Sequence, residues 1–425
     1  MSHRSSTRPT VAVIGSGVSG LTAAYLLQRA FDVTLFESDS RLGGHAHTHE
    51  LIDAAGRPQS VDTGFIVHNR RTYPHLLRLF AELDVPTQES EMSMSVSCAG
   101  CGLEYAGARG MAGLFAQRAS VTNLPFLRML LEVKRFHRHA HRVLASPPTE
   151  VQTLRDFLAE GGYSPYFVSH FILPVVACVW SCGADVAGDY PARYLFTFLE
   201  HHGLLSVTGS PVWRTVTGGS RTYVERAVKS LSAVASAVPV RDIRRHSDGV
   251  TVRTDDDDSL GFDKVVVATH PAQALALLND ATSEESRVLG AFGYSQATTL
   301  LHSDISVMPT APRAAASWNY RMAACAATDD RVQVTYDMNR LQRLNSATRY
   351  LVTLNAEDAI DPSTVIDTMH YEHPIYTPTS VAAQADLPSL TSATTAFAGA
   401  YHGWGFHEDG GASGVRAAEA HGVRW

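Results

Sequence analysis

Apolar positions along this chain recur with two periods, and the switches between them mark its elements. Val11 to Ile14 is an unbroken apolar run of strand length, Leu21 to Leu27 has the character of a buried helix, and Asp32 to Phe36 reads as a second strand. Residues 72 to 85 place Leu76, Leu79, Phe80 and Leu83 on one helical face. Residues 91 to 106 read as a hairpin turning at Cys98-Ala99-Gly100-Cys101. A long helix is expected over 123–144, with Met129, Val133, Phe136, Ala140 and Val143 in one stripe and Arg128, Arg135, Arg138 and Arg142 in another. Shorter helices follow at 153–160 and 190–201, then strands at 239–245, 249–254 and 262–269. Alternation at 300–303, 316–320, 332–338 and 351–354 predicts an antiparallel sheet, and 393–420 a strand and a final helix. There is no repeat and no low-complexity linker.

The first strand runs into Gly15-Ser16-Gly17-Val18-Ser19-Gly20 and the second ends at Glu37-Ser38. Strand, glycine turn, helix, strand and acid are the order a dinucleotide requires. The glycines permit a tight turn, a close backbone approach to pyrophosphate and close helix–strand packing; the helix N-terminus favours phosphate, and the acid accepts ribose hydroxyls. An ordinary glycine-rich β–turn–α unit would leave Glu37 unexplained. No second such fingerprint occurs, so a separate nicotinamide site is not expected.

Length and charge narrow the class. A chain of 425 residues suggests two domains, and a net charge of −7 argues against nucleic acid as partner. No targeting segment precedes the first strand, and the longest apolar stretch, Phe171 to Trp180, contains Pro174 and is too short to span a bilayer, so a cytoplasmic location is expected. The basic helix at 123–144 reads first as packed on its own domain with solvated arginines. The alternative is peripheral contact with the inner face of the membrane. The acids at 255–258 read as a solvated turn. Five cysteines suit a reducing compartment. Cys98 and Cys101 form a CxxC without a second pair, and Cys178 and Cys182 are four apart, so a structural hairpin is the favoured reading over zinc or redox chemistry, and no metal is expected. Spacing alone would let His45, His47 and His49 hold a metal, but no carboxylate stands at a matching interval.

Arg41-Leu42-Gly43-Gly44 follows the acid directly, and Val61-Asp62-Thr63-Gly64-Phe65 comes soon after. With Phe397-Ala398-Gly399-Ala400, Gly405-Phe406-His407-Glu408 and Ser413-Gly414 near the end, the chain resembles the flavin amine oxidase and phytoene desaturase superfamily over essentially its whole length. More narrowly, Gly43 to Thr48, Asp62 to Val67 and Gly403 to Gly410 resemble a bacterial subfamily of predicted NAD/FAD-binding proteins, often encoded beside cyclopropane-fatty-acid-synthase-like methyltransferases. The resemblance implies an α/β fold: a Rossmann-like, glutathione-reductase-like FAD-binding domain (1–70, 207–272 and 392–425) interleaved with an α+β substrate domain (71–206 and 273–391) that contains the antiparallel sheet. It implies non-covalent FAD, held by Gly15 to Gly20, Glu37, Ser38, Arg41, Gly43, Gly44 and His45. Thr63, Gly64 and Phe65 join them, as do Gly399, Ala400, Gly405 and Phe406. Val240 is placed at the adenine, Ala268 and Thr269 beneath the cofactor, and backbone N–H groups at His407 and Glu408 against the flavin.

His45, His47 and His407 are the candidates for proton transfer, since imidazole titrates near neutral pH; cofactor contact is the favoured role for His45, and a structural role stays open for His47. Two departures from the superfamily stand out. Its amine oxidases place a lysine near the flavin in the later substrate-domain half, whereas no lysine follows Lys264 here. Ala400 stands where relatives commonly carry an acid; either Glu408 or Asp409 compensates, or cofactor affinity depends more on backbone groups. The expected activity is therefore FAD-dependent, desaturase-, dehydrogenase- or oxidase-like hydride transfer to flavin N5 from a hydrophobic substrate, a fatty acyl or modified lipid chain, with O2, a quinone or a protein as acceptor. Alternatives are an amine oxidase, a flavin-dependent double-bond isomerase, or a non-catalytic FAD-binding partner of a lipid methyltransferase.

Overall fold

The computed structural model describes residues 8–147, 151–206, 209–326 and 331–425. In chain order the strands that build its two main sheets are β1 (Thr10–Ile14), β2 (Asp32–Phe36), β3 (Met94–Cys98), β4 (Glu104–Gly107), β5 (Ala233–Ala235), β6 (Lys264–Val267), β7 (Gly293–His302), β8 (Trp318–Met322), β9 (Val334–Asp337), β10 (Leu351–Leu354), β11 (Val365–Ile375) and β12 (Thr395–Phe397). Four helices matter to the site: α1 (Val18–Leu27), α2 (Pro74–Glu82), α3 (Leu124–Ala145) and α4 (His407–Ala420).

The first sheet is wholly parallel, in the order β5-β2-β1-β6-β12. Its central strands are continuous apolar runs because both faces are covered: Val11 to Val13 and Val265 to Val267 are fully buried. α1 is buried nearly all round, between this sheet and α4. Gly20 makes the first of these contacts possible. A Cβ there would stand 1.9 Å from the carbonyl oxygen of Gly15, inside any van der Waals limit. The expected strand over 262–269 is two strands that part at Asp263. Ser259–Phe262 closes a small antiparallel sheet with Val240–Arg245 and Val250–Thr254, and β6 enters the parallel sheet. The break is held by the Asp263 carboxylate, which accepts the amide of Thr10 at 2.6 Å and its hydroxyl at 2.9 Å.

The second sheet has seven strands in the order β11-β7-β10-β9-β8-β3-β4. Its pairings are antiparallel except β8 with β3, which run parallel and attach the hairpin to the sheet. β11 lies outside the four predicted alternating stretches. Its sequence, Val365-Ile-Asp-Thr-Met-His-Tyr-Glu-His-Pro-Ile375, is too polar to announce a strand. It forms one as an edge strand, paired to β7 along its whole length, where polar residues and Pro374 are tolerated.

α3 begins at Asn123, whose side chain accepts the amide of Phe126 at 3.1 Å, with Pro125 in the first turn. Its buried stripe is Phe126, Met129, Phe136 and Ala140, close to the predicted one. Glu132 is buried with them because its carboxylate accepts the amide and hydroxyl of Ser164. Arg128 and Arg135 each stand 3.8 Å from Glu132, and Arg135 also lies over the Tyr163 ring. Half of the basic stripe is thus committed within the fold. Among the described residues no helix is long and apolar enough to cross a membrane.

Candidate active site

The fingerprint folds as its spacing demands. Gly15 has φ +100°, and α1 starts at Val18 with its first amides facing outward over Gly17. A Cβ on Gly17 would meet no protein atom within 4 Å, so the ground in front of the helix N-terminus is open. Glu37 closes one side. Its Oε2 accepts the amide of Ser16 at 2.9 Å and the Ser16 hydroxyl at 2.6 Å. Ser16 Oγ in turn accepts the amide of Gly43 at 3.0 Å, which brings the Arg41–Gly44 turn onto the first glycine turn. Arg41 itself stays out of the cavity. Its guanidinium donates to the carbonyls of Leu42 and Ala46, so it braces the turn from behind.

This cradle opens into one cavity of about 1700 Å³. Ligand sites for a single drug-sized molecule span roughly 300–1,000 Å³, so there is room for a large cofactor and a substrate together. Of the predicted site residues, Gly15 to Ser19, Glu37, Ser38, Gly44, His45, Thr63 to Phe65, Val240, Ala268, Thr269, Gly399, Ala400 and Gly405 to His407 line it. Gly20 and Gly43 do not, since both serve packing.

Glu408 is a correction. Its carboxylate leaves the cavity and accepts the amides of His75 and Leu76, both at 3.0 Å, with His75 Nδ1 at 2.7 Å. It caps α2, satisfying amides that a helix start leaves unpaired. Asp409 is bound up as well, accepting the amide of Phe406 at 2.9 Å at the head of α4. Both carboxylates are thus engaged by backbone amides. Desolvation pushes Asp409 up to about 7.

His45, His373 and His407 all line the cavity. His45 has a buried Nε2 with no hydrogen-bond partner, and His373 a buried Nδ1 in the same state. Their rings lie 5.6 Å apart. Desolvation is the main cause that holds both down, His373 to about 4 and His45 well below its ordinary value. His407 stacks on Phe65 at 3.8 Å, and its Nε2 meets the hydroxyl of Tyr223 at 3.1 Å. Desolvation takes it to about 3. All three rings are neutral at physiological pH. Orphaned buried nitrogens cost free energy unless a ligand supplies the partner, which fits a cofactor or substrate in this space. His47 does not face the cavity. Its Nδ1 meets the Tyr371 hydroxyl at 2.9 Å, and Tyr371 also meets the Thr63 hydroxyl at 2.9 Å.

Sequence reasoning missed the far wall. Tyr371, His373, His270 and Tyr294 line the cavity beside the cradle, and Trp318 and Tyr336 beyond it. Tyr371 and His373 stand two apart on β11, so one face carries both, a signal hidden with the strand. Beyond the histidines the lining turns apolar, through Val96, Tyr105, Phe115, Met129, Phe136, Phe171 and Ile172. Lys134 stands exposed at the solvent end, with no ion pair among the described residues.

Residues 18–420 match the family described as flavin containing amine oxidoreductase. The chain belongs to this family. Its members are FAD-dependent redox enzymes, and FAD is the cofactor for which the cradle is built. The fold is shared with cyclohexylamine oxidase from Brevibacterium oxydans IH-35A, at 18% identity and a TM-score of 0.70 over 97% of this chain and 98% of the other. It is also shared with a CLA-producing fatty acid isomerase from P. acnes, at 15% identity and 0.67 over 96% and 97%. Tryptophan 2-monooxygenase from Allorhizobium ampelinum is 57% identical over 44 residues, a stretch that spans 10% of this chain and 6% of that protein.

Proposed function

We propose that this protein is an FAD-dependent oxidoreductase acting on the hydrocarbon chain of an anionic lipid, a fatty acid or a close relative. The observation that carries this reading is the continuous cavity. It begins at the dinucleotide cradle, passes an apolar wall and ends at a mouth where Met111, Leu131, Leu204 and Val212 are exposed. Bound non-covalently, FAD would supply a two-electron oxidant. The chain's residues do the rest. The apolar wall orients a chain and excludes water from it. Lys134 at the mouth pairs with a carboxylate head group. The orphaned nitrogens of His45 and His373, both uncharged, are available to accept a proton or a hydrogen bond from the reacting end. His407 contributes a neutral edge held by Tyr223.

An amine substrate fits less well. No lysine lies in the later substrate segments, and among the described residues the carboxylates that line the cavity are Glu37, bonded to Ser16, and Glu372, 2.8 Å from His270. The apolar rim, with Arg138 exposed on the same helix as Leu131 and Lys134, also supports contact with an anionic membrane surface as the route of entry. A lipid methyltransferase would then act on the same pool of chains.

Anaerobic addition of oleate to the yellow holoprotein tests the reading. Loss of the flavin's visible band, and its return with oxygen or a quinone, is the expected result. Turnover of double-bond position without lasting bleaching would replace it with the isomerase reading, which the fold shared with a fatty acid isomerase keeps close. Bleaching by primary amines and not by fatty acids would restore the amine oxidase. No response to either would leave a binding role.

A further inference from the structure

The CxxC hairpin folds as a hairpin, but its cysteines do not stand alone. Cys98 ends β3, Cys101 sits in the turn, and the chain leaving β8 brings Cys325 over them. His170 arrives from an unrelated segment, a single π-helical turn at Val168–Ile172. One ligand atom from each of the four lies within 4.8 Å of every other. We infer that Cys98, Cys101, His170 and Cys325 form a structural zinc site.

Three observations carry this. The first is spacing. Zinc–sulfur bonds near 2.3 Å and zinc–nitrogen bonds near 2.0–2.1 Å at tetrahedral angles put two sulfurs about 3.8 Å apart and a sulfur and a nitrogen about 3.5 Å apart. Cys98 Sγ and Cys325 Sγ are 3.8 Å apart, and Cys101 Sγ and His170 Nε2 are 3.5 Å apart. A disulfide needs about 2.05 Å. The second is the tautomer. His170 Nδ1 lies 3.2 Å from the carbonyl of Tyr166 and 2.8 Å from the Ser169 hydroxyl. A proton on Nδ1 donated to that carbonyl leaves the Nε2 lone pair facing the sulfurs, the outer-shell arrangement that orients a ligating imidazole. Tyr166 also stacks on the ring at 3.9 Å. The third is the room made for the fourth ligand. A Cβ on Gly100 would stand 2.9 Å from the amide nitrogen of Cys325 and 3.0 Å from Ala324 Cα, so only glycine lets that segment come down on the turn.

Three thiolates and a neutral imidazole make a closed tetrahedral set of the structural kind, and each thiol releases its proton to solvent as it ligates. The site ties together the hairpin, the end of β8 and the π turn. The residues after His170, Phe171 and Ile172, line the apolar part of the cavity, so the metal would stiffen that wall without touching the cradle.

Elemental analysis of the full-length holoprotein, purified without chelator or added metal, tests the assignment. About one zinc per chain is expected, with all three cysteines of the cluster protected from alkylation. Cys101→Ser and Cys325→Ser, both at the surface, should each drop zinc by about tenfold while the FAD-to-protein ratio stays within about 20%. Cobalt loaded in place of zinc should give ligand-field bands beyond 600 nm, clear of the flavin. Less than about 0.1 zinc per chain even after zinc is supplied would overturn the site. So would iron in equal stoichiometry, a Cys98–Cys325 disulfide in protein kept from air, or full zinc retention in both variants.

Discussion

Single residues divide the cavity into parts that can be tested apart. Gly17 faces only the space where pyrophosphate would lie, with backbone angles any residue adopts and no protein atom to collide with. Gly17→Val should therefore fold with an unchanged circular dichroism spectrum yet lose the yellow cofactor; full flavin content in that variant would refute the placement of the cradle. Lys134 stands exposed on the cavity lining. Exposed charge pairs are weak, on the order of 1 kcal/mol, so Lys134→Met should raise KM for a fatty acid roughly five- to tenfold, with kcat within about twofold. An equal fall in kcat would place Lys134 at the chemistry instead. His45→Ala removes an orphaned nitrogen from the cavity lining. Its expected signature is a loss of kcat of about a hundredfold or more, within the usual range for a positioned proton acceptor, at unchanged FAD content.

At the scale of elements, one carboxylate adds a polar tie to the apolar contact between α2 and α4. Glu408 caps α2 through two backbone amides, and losing a helix cap costs about 1–2 kcal/mol. Glu408→Ala should lower the thermal midpoint by a few degrees and leave the flavin spectrum unaltered; a shifted or missing flavin band would return Glu408 to the cofactor. The same elements mark what could be read in advance. β1, α1 and β2 were legible because their determinants are local: a run of apolar residues, three glycines and an acid within 28 residues of one another. The stripe on α3 was legible by its period. β11 was not, because its partner β7 lies some seventy residues earlier and supplies the hydrogen bonds that its polar composition does not advertise. With β11 unread, Tyr371 and His373 were unreadable too.

The whole molecule carries an unusual store of desolvated histidine. Desolvation takes His68, His302 and His373 to about 4 and His407 to about 3. In the unfolded chain these rings titrate near 6.5. Below that pH the unfolded state binds more protons, so stability is lost as pH falls from about 6.5 toward 4 and levels off beneath. Asp62 and Asp409, raised to about 6 and about 7 by burial, act in the opposite direction but are fewer. The thermal midpoint should accordingly be several degrees lower at pH 5 than at pH 7.5. A flat profile would mean that the histidines are hydrated. Pelleting with anionic vesicles, weakened by salt and by Leu131→Asp, is the whole-molecule counterpart of the apolar mouth, and no binding at low salt would remove the membrane from the picture.

The amino-acid sequence by itself determined a dinucleotide cradle, and the resemblance carried by its other motifs implied FAD. A phosphate cradle is made by turn geometry and a helix start, and these are written in neighbouring residues. The substrate end and the cysteine cluster were decided only by tertiary structure. Lys134, Phe171, Tyr371 and His373 come from elements far apart in the chain, as do Cys98, His170 and Cys325. Their chemistry exists only once packing and strand pairing have set their separations.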